Sequence, residues 1–197
     1  MPNPPLTEPE LRDLVNRIVR RTLGVDAPAA PALAAVAGSA APAAKGAVAL
    51  GADHGGFALK EQLKEFVAGL GYTVIDCGAH STDPVDYPDL AYAVARLVST
   101  GEAWRGLVID GAGLGSAMAA NKVPGVRAAL CYDHATAVNS REHNDANVLT
   151  LGAGLIGPAL AKQITQTWLA TAFAGGRHQK RIDKITGIEK RFSKSGA

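Results

Sequence analysis

Cysteine is scarce in these 197 residues, with Cys77 and Cys131 the only two. Two thiols without zinc-ligand spacing exclude a disulfide scaffold and suit a reducing cytoplasm. Long apolar runs are missing too. No stretch of about 18 residues combines large apolar side chains with freedom from Pro, Gly and charge, so no membrane span is expected. Charge of one sign is also lacking. A net charge of +2 and a pI near 8.6 give no reason to expect nucleic acid as a partner. What remains, 47% hydrophobic and 19% charged residues, is the composition of a globular protein rather than a disordered one.

The length is unevenly used. Residues 27–44 read APAAPALAAVAGSAAPAA, with eleven Ala, three Pro and no charge. The prolines forbid one continuous helix, and large side chains are too few for a core, so 27–47 is expected to be a semi-extended linker. Residues 48–197 then form an ordinary single domain. Ahead of the linker, in residues 1–26, Leu11, Leu14, Val15, Ile18, Val19 and Leu23 mark one face of an amphipathic helix. Thr7 with Glu10 is a capping-box pattern, Pro9 suits the first turn and Gly24 supplies a stop.

That helix has several readings. It could dock on the core or on another subunit. Interleaved arginines argue against a secretory signal, and Glu8, Glu10 and Asp13 against a transit peptide. It could also be an address whose apolar stripe fills a partner's groove. A helix, an Ala/Pro linker and an enzyme in series resemble the encapsulation peptides that load cargo into bacterial microcompartments. The resemblance implies a shell protein or other cargo as partner for residues 6–24, and a microcompartment lumen as location.

From Val48 onward the pattern alternates. The apolar runs AVALGA, YTVIDCG, GLVIDGAG, RAALCYD and NVLTLGAG are each followed by helical spacing, the first helix over Phe57 to Leu70 and the second over Tyr87 to Val98. Five βα units predict an α/β fold, a three-layer sandwich around a five-stranded parallel sheet. Ligands in such sheets bind beyond the carboxyl ends of the strands.

Those ends hold the chemistry. Asp53 and His54, followed by two glycines, close the first strand; they suit acid–base work, or equally a helix-capping turn. After the third strand come Asp110, Gly111, Ala112, Gly113, Leu114, Gly115 and Ser116. Alternate glycines let backbone N–H groups converge on an anion, and Asp110 is expected as a carboxylate at the mouth of that nest. The spacing is neither a Walker loop nor a dinucleotide fingerprint. His143 and Asn144 precede the fifth strand, where His143 could move a proton between sugar oxygens or simply be a solvated helix end. Arg177 and Arg181 are four apart, so on a helix they share a face that could clamp a phosphate, or they are a solvated basic run.

Together these blocks resemble a known family. ALGADHGGFALKEQLKEFVAGLGYTVIDCG, VDYPDLA, AANKVPGVRAALCYD, SREHNDANVLTLGA and GGRHQKRIDKI, in that order, are similar to the type B ribose-5-phosphate isomerases and galactose-6-phosphate isomerases. The resemblance implies a Rossmann-like aldose–ketose isomerase without metal or cofactor, acting as a homodimer or tetramer whose active sites are shared between subunits. It places Asp53 and His54 beside the sugar, Tyr87 in the pocket, the loop glycines Gly111, Gly113 and Gly115 at the enediolate, His143 at ring opening and Asn144 on a sugar oxygen. It places phosphate on Arg177 and Arg181, reaching from the partner subunit.

Three positions depart from the family pattern. Asp110 stands where a cysteine base is common, and Ser116 where other members place a glutamate, so Asp110 is expected to be the base. Ala112 replaces a hydroxyl residue and Gly154 an arginine that helps bind phosphate. The leading expectation is interconversion of ribose 5-phosphate and ribulose 5-phosphate. The alternatives are another sugar phosphate, hexose or deoxysugar, or a non-catalytic relative with a binding or assembly role.

Overall fold

The computed structural model describes Thr7 and residues 45–193. The chain divides into two units, residues 1–40 and 41–197, and the fold below is that of the second. The expected N-terminal helix and most of the linker lie outside the described residues.

Five parallel strands form one sheet: β1 (Ala47–Ala52), β2 (Thr73–Asp76), β3 (Arg105–Asp110), β4 (Ala128–Leu130) and β5 (Val148–Gly152). β1 begins at Ala47, the last residue assigned above to the linker. Six helices connect and follow them: α1 (Phe57–Gly69), α2 (Tyr87–Ser99), α3 (Leu114–Ala120), α4 (His134–Glu142), α5 (Pro158–Ala170) and α6 (Gln179–Phe192). A 3-10 turn, Gly176–His178, leads into α6. None of the described helices is long and apolar enough to cross a membrane.

The strand order is β2-β1-β3-β5-β4. β1, β3 and β5 occupy the centre, and their residues are buried almost throughout, as apolar runs covered on both faces should be. β2 and β4 are shorter, half-buried edges. Alternation along the strands divides the core in two. Val48, Leu50, Leu107, Ile109, Leu149 and Leu151 pack against α1, α4 and α5 around Trp168. Ala49 and Val108 meet Ala91, Val94 and Ala95 of α2 on the other face.

The sideways direction in which strands are added reverses about β1: β2 lies to one side of it and β3 to the other. The crevice at that switch point is bounded by the residues just after β1 and β3, namely Asp53 and the loop from Asp110.

Candidate active site

The β3–α3 loop is organised by its own carboxylate. Asp110 is 5% exposed. Its Oδ1 accepts the N–H of Ala112 at 2.7 Å and that of Gly113; its Oδ2 accepts the N–H of Ser116 at 3.0 Å and the Ser116 hydroxyl at 2.5 Å. Gly113, with φ of 77°, turns these donors inward. A Cβ at Gly113 would also come within 2.9 Å of the Leu151 carbonyl carbon, so only glycine fits.

This corrects the expectation for Asp110. The carboxylate lies inside the nest rather than at its mouth, because its short side chain folds back onto the following N–H groups. All four acceptor directions are engaged, three of them by backbone donors that cannot reverse. To take a substrate proton Asp110 would have to surrender one of these bonds. The N–H of Gly113 is likewise used internally. Those of Gly111, Leu114 and Gly115 make no hydrogen bond among the described residues.

Neighbouring elements fix the loop from outside. The Tyr132 hydroxyl, just past β4, donates to the Ala112 carbonyl at 2.9 Å. Tyr87, at the start of α2, lays its ring over Gly115, where an added Cβ would lie 2.8 Å from the phenol oxygen. Gly154 donates its N–H to the Gly111 carbonyl at 3.0 Å, and a Cβ there would come 2.9 Å from that oxygen. An arginine at position 154 would therefore require the loop to move. On the other flank, Asp53 is 9% exposed and its Oδ1 accepts the N–H of Gly56 at 2.8 Å. His54 is exposed, its Nδ1 3.3 Å from the Val85 carbonyl.

The other expected residues lie elsewhere. α4 starts after the carboxyl end of β4 and returns to the amino end of β5, so His143 and Asn144 sit at the opposite end of the strands. Arg141, 2% exposed, holds this turn through Asp145 Oδ1 at 2.8 Å and the Thr171 carbonyl at 3.3 Å. Arg127 binds Asp145 from the start of β4, also at 2.8 Å. Asp145 is thereby held at φ 44°. The N–H of Ala174 donates to the Glu142 carbonyl at 2.9 Å and brings in the segment that carries Arg177.

There the His143 ring stacks on His178 with centroids 4.2 Å apart and planes 4° apart. Burial, aided by the charges of His143, Arg177 and Arg181, lowers the His178 pKa below its usual value. Arg177 belongs to the 3-10 turn and Arg181 to α6; both are exposed. The structure thus gathers Asp53, His54, Tyr87, Asp110 and the loop glycines at one end of the sheet. It gathers His143, Asn144, Arg177 and Arg181 at the other. Strands of five or six residues separate the two ends by about 16–20 Å, more than a five-carbon sugar phosphate spans.

Sequence reasoning missed Ser116 as the partner of Asp110, Tyr132 as a loop anchor, and His178. Tyr132 was findable, since it closes a strand as Asp53 and Asp110 do. Among the described residues, no group of three or more His, Cys, Asp or Glu side chains has metal-binding geometry.

Neither cysteine lies in the loop. Burial, then the Asp76 charge, raises the Cys77 thiol pKa, and burial raises that of Cys131, which is fully enclosed. Both stay protonated thiols of low reactivity at neutral pH. Iodoacetamide at pH 7 is expected to leave turnover intact; rapid inactivation with an unchanged circular dichroism spectrum would contradict this.

Comparison with known proteins places the chain. Residues 48–185 match the Ribose/Galactose Isomerase family model. Ribose-5-phosphate isomerase B of Escherichia coli is 44% identical over 144 residues, 73% of this chain and 97% of that protein. D-erythrulose-4-phosphate isomerase of Pectobacterium atrosepticum is 40% identical over 142 residues, covering 70% and 91%. The solved structure of ribose-5-phosphate isomerase B from Clostridium thermocellum superposes with a TM-score of 0.74 at 51% identity, over 75% of this chain and 99% of that one. The chain belongs to the ribose/galactose isomerase family.

Proposed function

We propose that this chain interconverts ribose 5-phosphate and ribulose 5-phosphate, in active sites that each draw on two copies of it. The observation that carries the reading is the division of the site residues between the two ends of one sheet. Asp53, Tyr87 and the β3–α3 loop form one half, and the imidazole–arginine cluster at His143, Arg177 and Arg181 the other. Two copies in a symmetric dimer complete two sites at once.

The halves suit different parts of the reaction. Arg177 and Arg181 are exposed guanidinium groups able to hold a phosphate. His143, next to them, suits proton transfer to the ring oxygen as the sugar opens. The loop N–H groups of Gly111 and Gly115, unused within the fold, suit a developing enediolate oxygen. A carboxylate at that same end moves the proton between C2 and C1.

One observation favours a second reading on sugar length. Gly154 offers no guanidinium, and the Pectobacterium relative is named for a four-carbon ketose phosphate. The test is a panel of ribose 5-phosphate, galactose 6-phosphate and erythrulose 4-phosphate with the full-length protein. Ribose 5-phosphate is expected to give the highest kcat/KM. A preference of tenfold or more for another member would reassign the substrate, and no turnover of any would favour a binding or assembly role.

A further inference from the structure

Two carboxylates stand at the crevice, and the structure distinguishes them. Asp110 has every acceptor direction filled by Ala112, Gly113 and Ser116. Asp53 accepts one hydrogen bond, from the N–H of Gly56, on Oδ1 alone. Among the described residues, the buried side-chain nitrogen and oxygen atoms without a partner are Arg105 Nε, Thr150 Oγ1 and Thr165 Oγ1. Asp53 Oδ2 is therefore unpaired and, unlike those atoms, reaches solvent. It also adjoins the loop: a Cβ at Gly55 would lie 3.4 Å from Asp53 Oδ1 and 4.0 Å from the Gly111 nitrogen. The Asp53 N–H donates to the Ile109 carbonyl at 3.2 Å, which ties its backbone to the strand that ends in Asp110.

Resting on the isomerase reading above, we infer that Asp53 is the catalytic base of this chain and Asp110 a positioning residue that holds the loop. Asp53 Oδ2 takes the proton from C2 of the open-chain aldose. The C–H electron pair forms the C1–C2 double bond, and the carbonyl π pair moves onto O1. The proton on O2 then passes to O1. As C2–O2 becomes the carbonyl, the double-bond pair takes the proton back from Asp53 at C1. The carboxylate is regenerated and no co-reactant is needed.

Asp110 acts through the backbone. With its charge at the centre of the loop, the N–H groups of Ala112, Gly113 and Ser116 point inward, and those of Gly111 and Gly115 remain for the substrate. Its removal should disorder the oxyanion donors without removing the base.

The test compares Asp53→Asn, Asp53→Ala and Asp110→Asn in the full-length protein. The readouts are kcat, KM, the pH profile and exchange of the substrate C2 proton with D2O. Asp53→Asn, which can keep the Gly56 bond through its amide oxygen, is expected to lower kcat by about 10³-fold. It should also abolish exchange, with KM little changed. Asp53→Ala is expected to regain activity with added formate, which a purely structural residue would not. Asp110→Asn is expected to lose about 10–100-fold in kcat/KM while keeping exchange and the acid limb of the profile. Loss of exchange and of the acid limb in Asp110→Asn, with Asp53→Asn retaining a tenth or more of kcat, would overturn the assignment. Failure of the wild-type protein to turn over any sugar phosphate would instead sink the isomerase reading on which it rests.

Discussion

Two dead chains should make a live enzyme. Asp53→Asn removes the base from one half-site, and Arg177→Ala removes a phosphate contact from the other; each variant alone is expected to lose at least about 100-fold in kcat/KM. When the two are co-expressed and purified together, about a quarter of wild-type activity should return. The figure follows from symmetry: random pairing gives half heterodimers, and each heterodimer has one site free of both substitutions and one site carrying both. If instead each site belonged to a single chain, every site would carry a defect and nothing would be recovered. Assay of the mixed oligomer against the two pure variants decides between these outcomes.

The second large effect concerns stability. Lys60 on α1 is completely buried, with its Nζ 2.6 Å from Asp76 Oδ1 at the end of β2 and 3.0 Å from Glu61. Asp76 Oδ2 binds Lys64 at 2.5 Å, and Asp76 Oδ1 also accepts the N–H of Gly78 at 3.0 Å. Burial alone would raise the Asp76 pKa. The Lys60 and Lys64 ammonium groups and the Gly78 N–H more than reverse that, lowering it from 3.8 to about 2.

Asp76→Asn leaves a buried ammonium with only the half-exposed Glu61. The expected loss is about 3 kcal/mol, or roughly 6–12 °C in Tm for a domain of this size. Lys60→Met removes the buried charge itself and leaves Asp76 paired with Lys64, so its effect should stay within about 1 kcal/mol. The pH dependence has a definite sign. A carboxyl with a depressed folded pKa contributes its full stability above the unfolded value of 3.8 and loses it as pH falls through about 2. The gap between wild type and Asp76→Asn should therefore narrow by about 1–2 kcal/mol between pH 4 and 2. Denaturant titrations at both pH values check it; a gap independent of pH would refute the pairing.

Much of the fold could be read locally. Strand runs such as AVALGA and VLTLG are short, apolar and bounded by turn residues, and the structure places β1 and β5 within them. The helix expected from Phe57 to Leu70 is α1, and that expected from Tyr87 to Val98 is α2. The resemblance brought most of the candidate residues, but not their arrangement.

What was not legible depends on contacts distant in sequence or on backbone direction. The separation of His143 from Asp53 follows from α4 running back to the amino end of β5, and the sideways order β2-β1-β3-β5-β4 is one that no periodicity encodes. The inward turn of Asp110 depends on the left-handed Gly113, and the alternate glycines were equally compatible with an outward carboxylate. Lys60 looks like a solvent-facing residue until Asp76, sixteen positions away, is placed above it. His143 and His178 meet through a 3-10 turn that the helical reading of Arg177 and Arg181 passed over.

The central claim is that the chain moves a proton between C1 and C2 of a phosphorylated sugar through an enediolate. Its most direct test is incubation of the full-length protein with ribose 5-phosphate in D2O, followed by NMR of both sugars. The account predicts ribulose 5-phosphate carrying deuterium at C1, and deuterium appearing at C2 of the remaining aldose. A folded protein that forms no ketose and introduces no deuterium, with ribose 5-phosphate or with galactose 6-phosphate and erythrulose 4-phosphate, would contradict it.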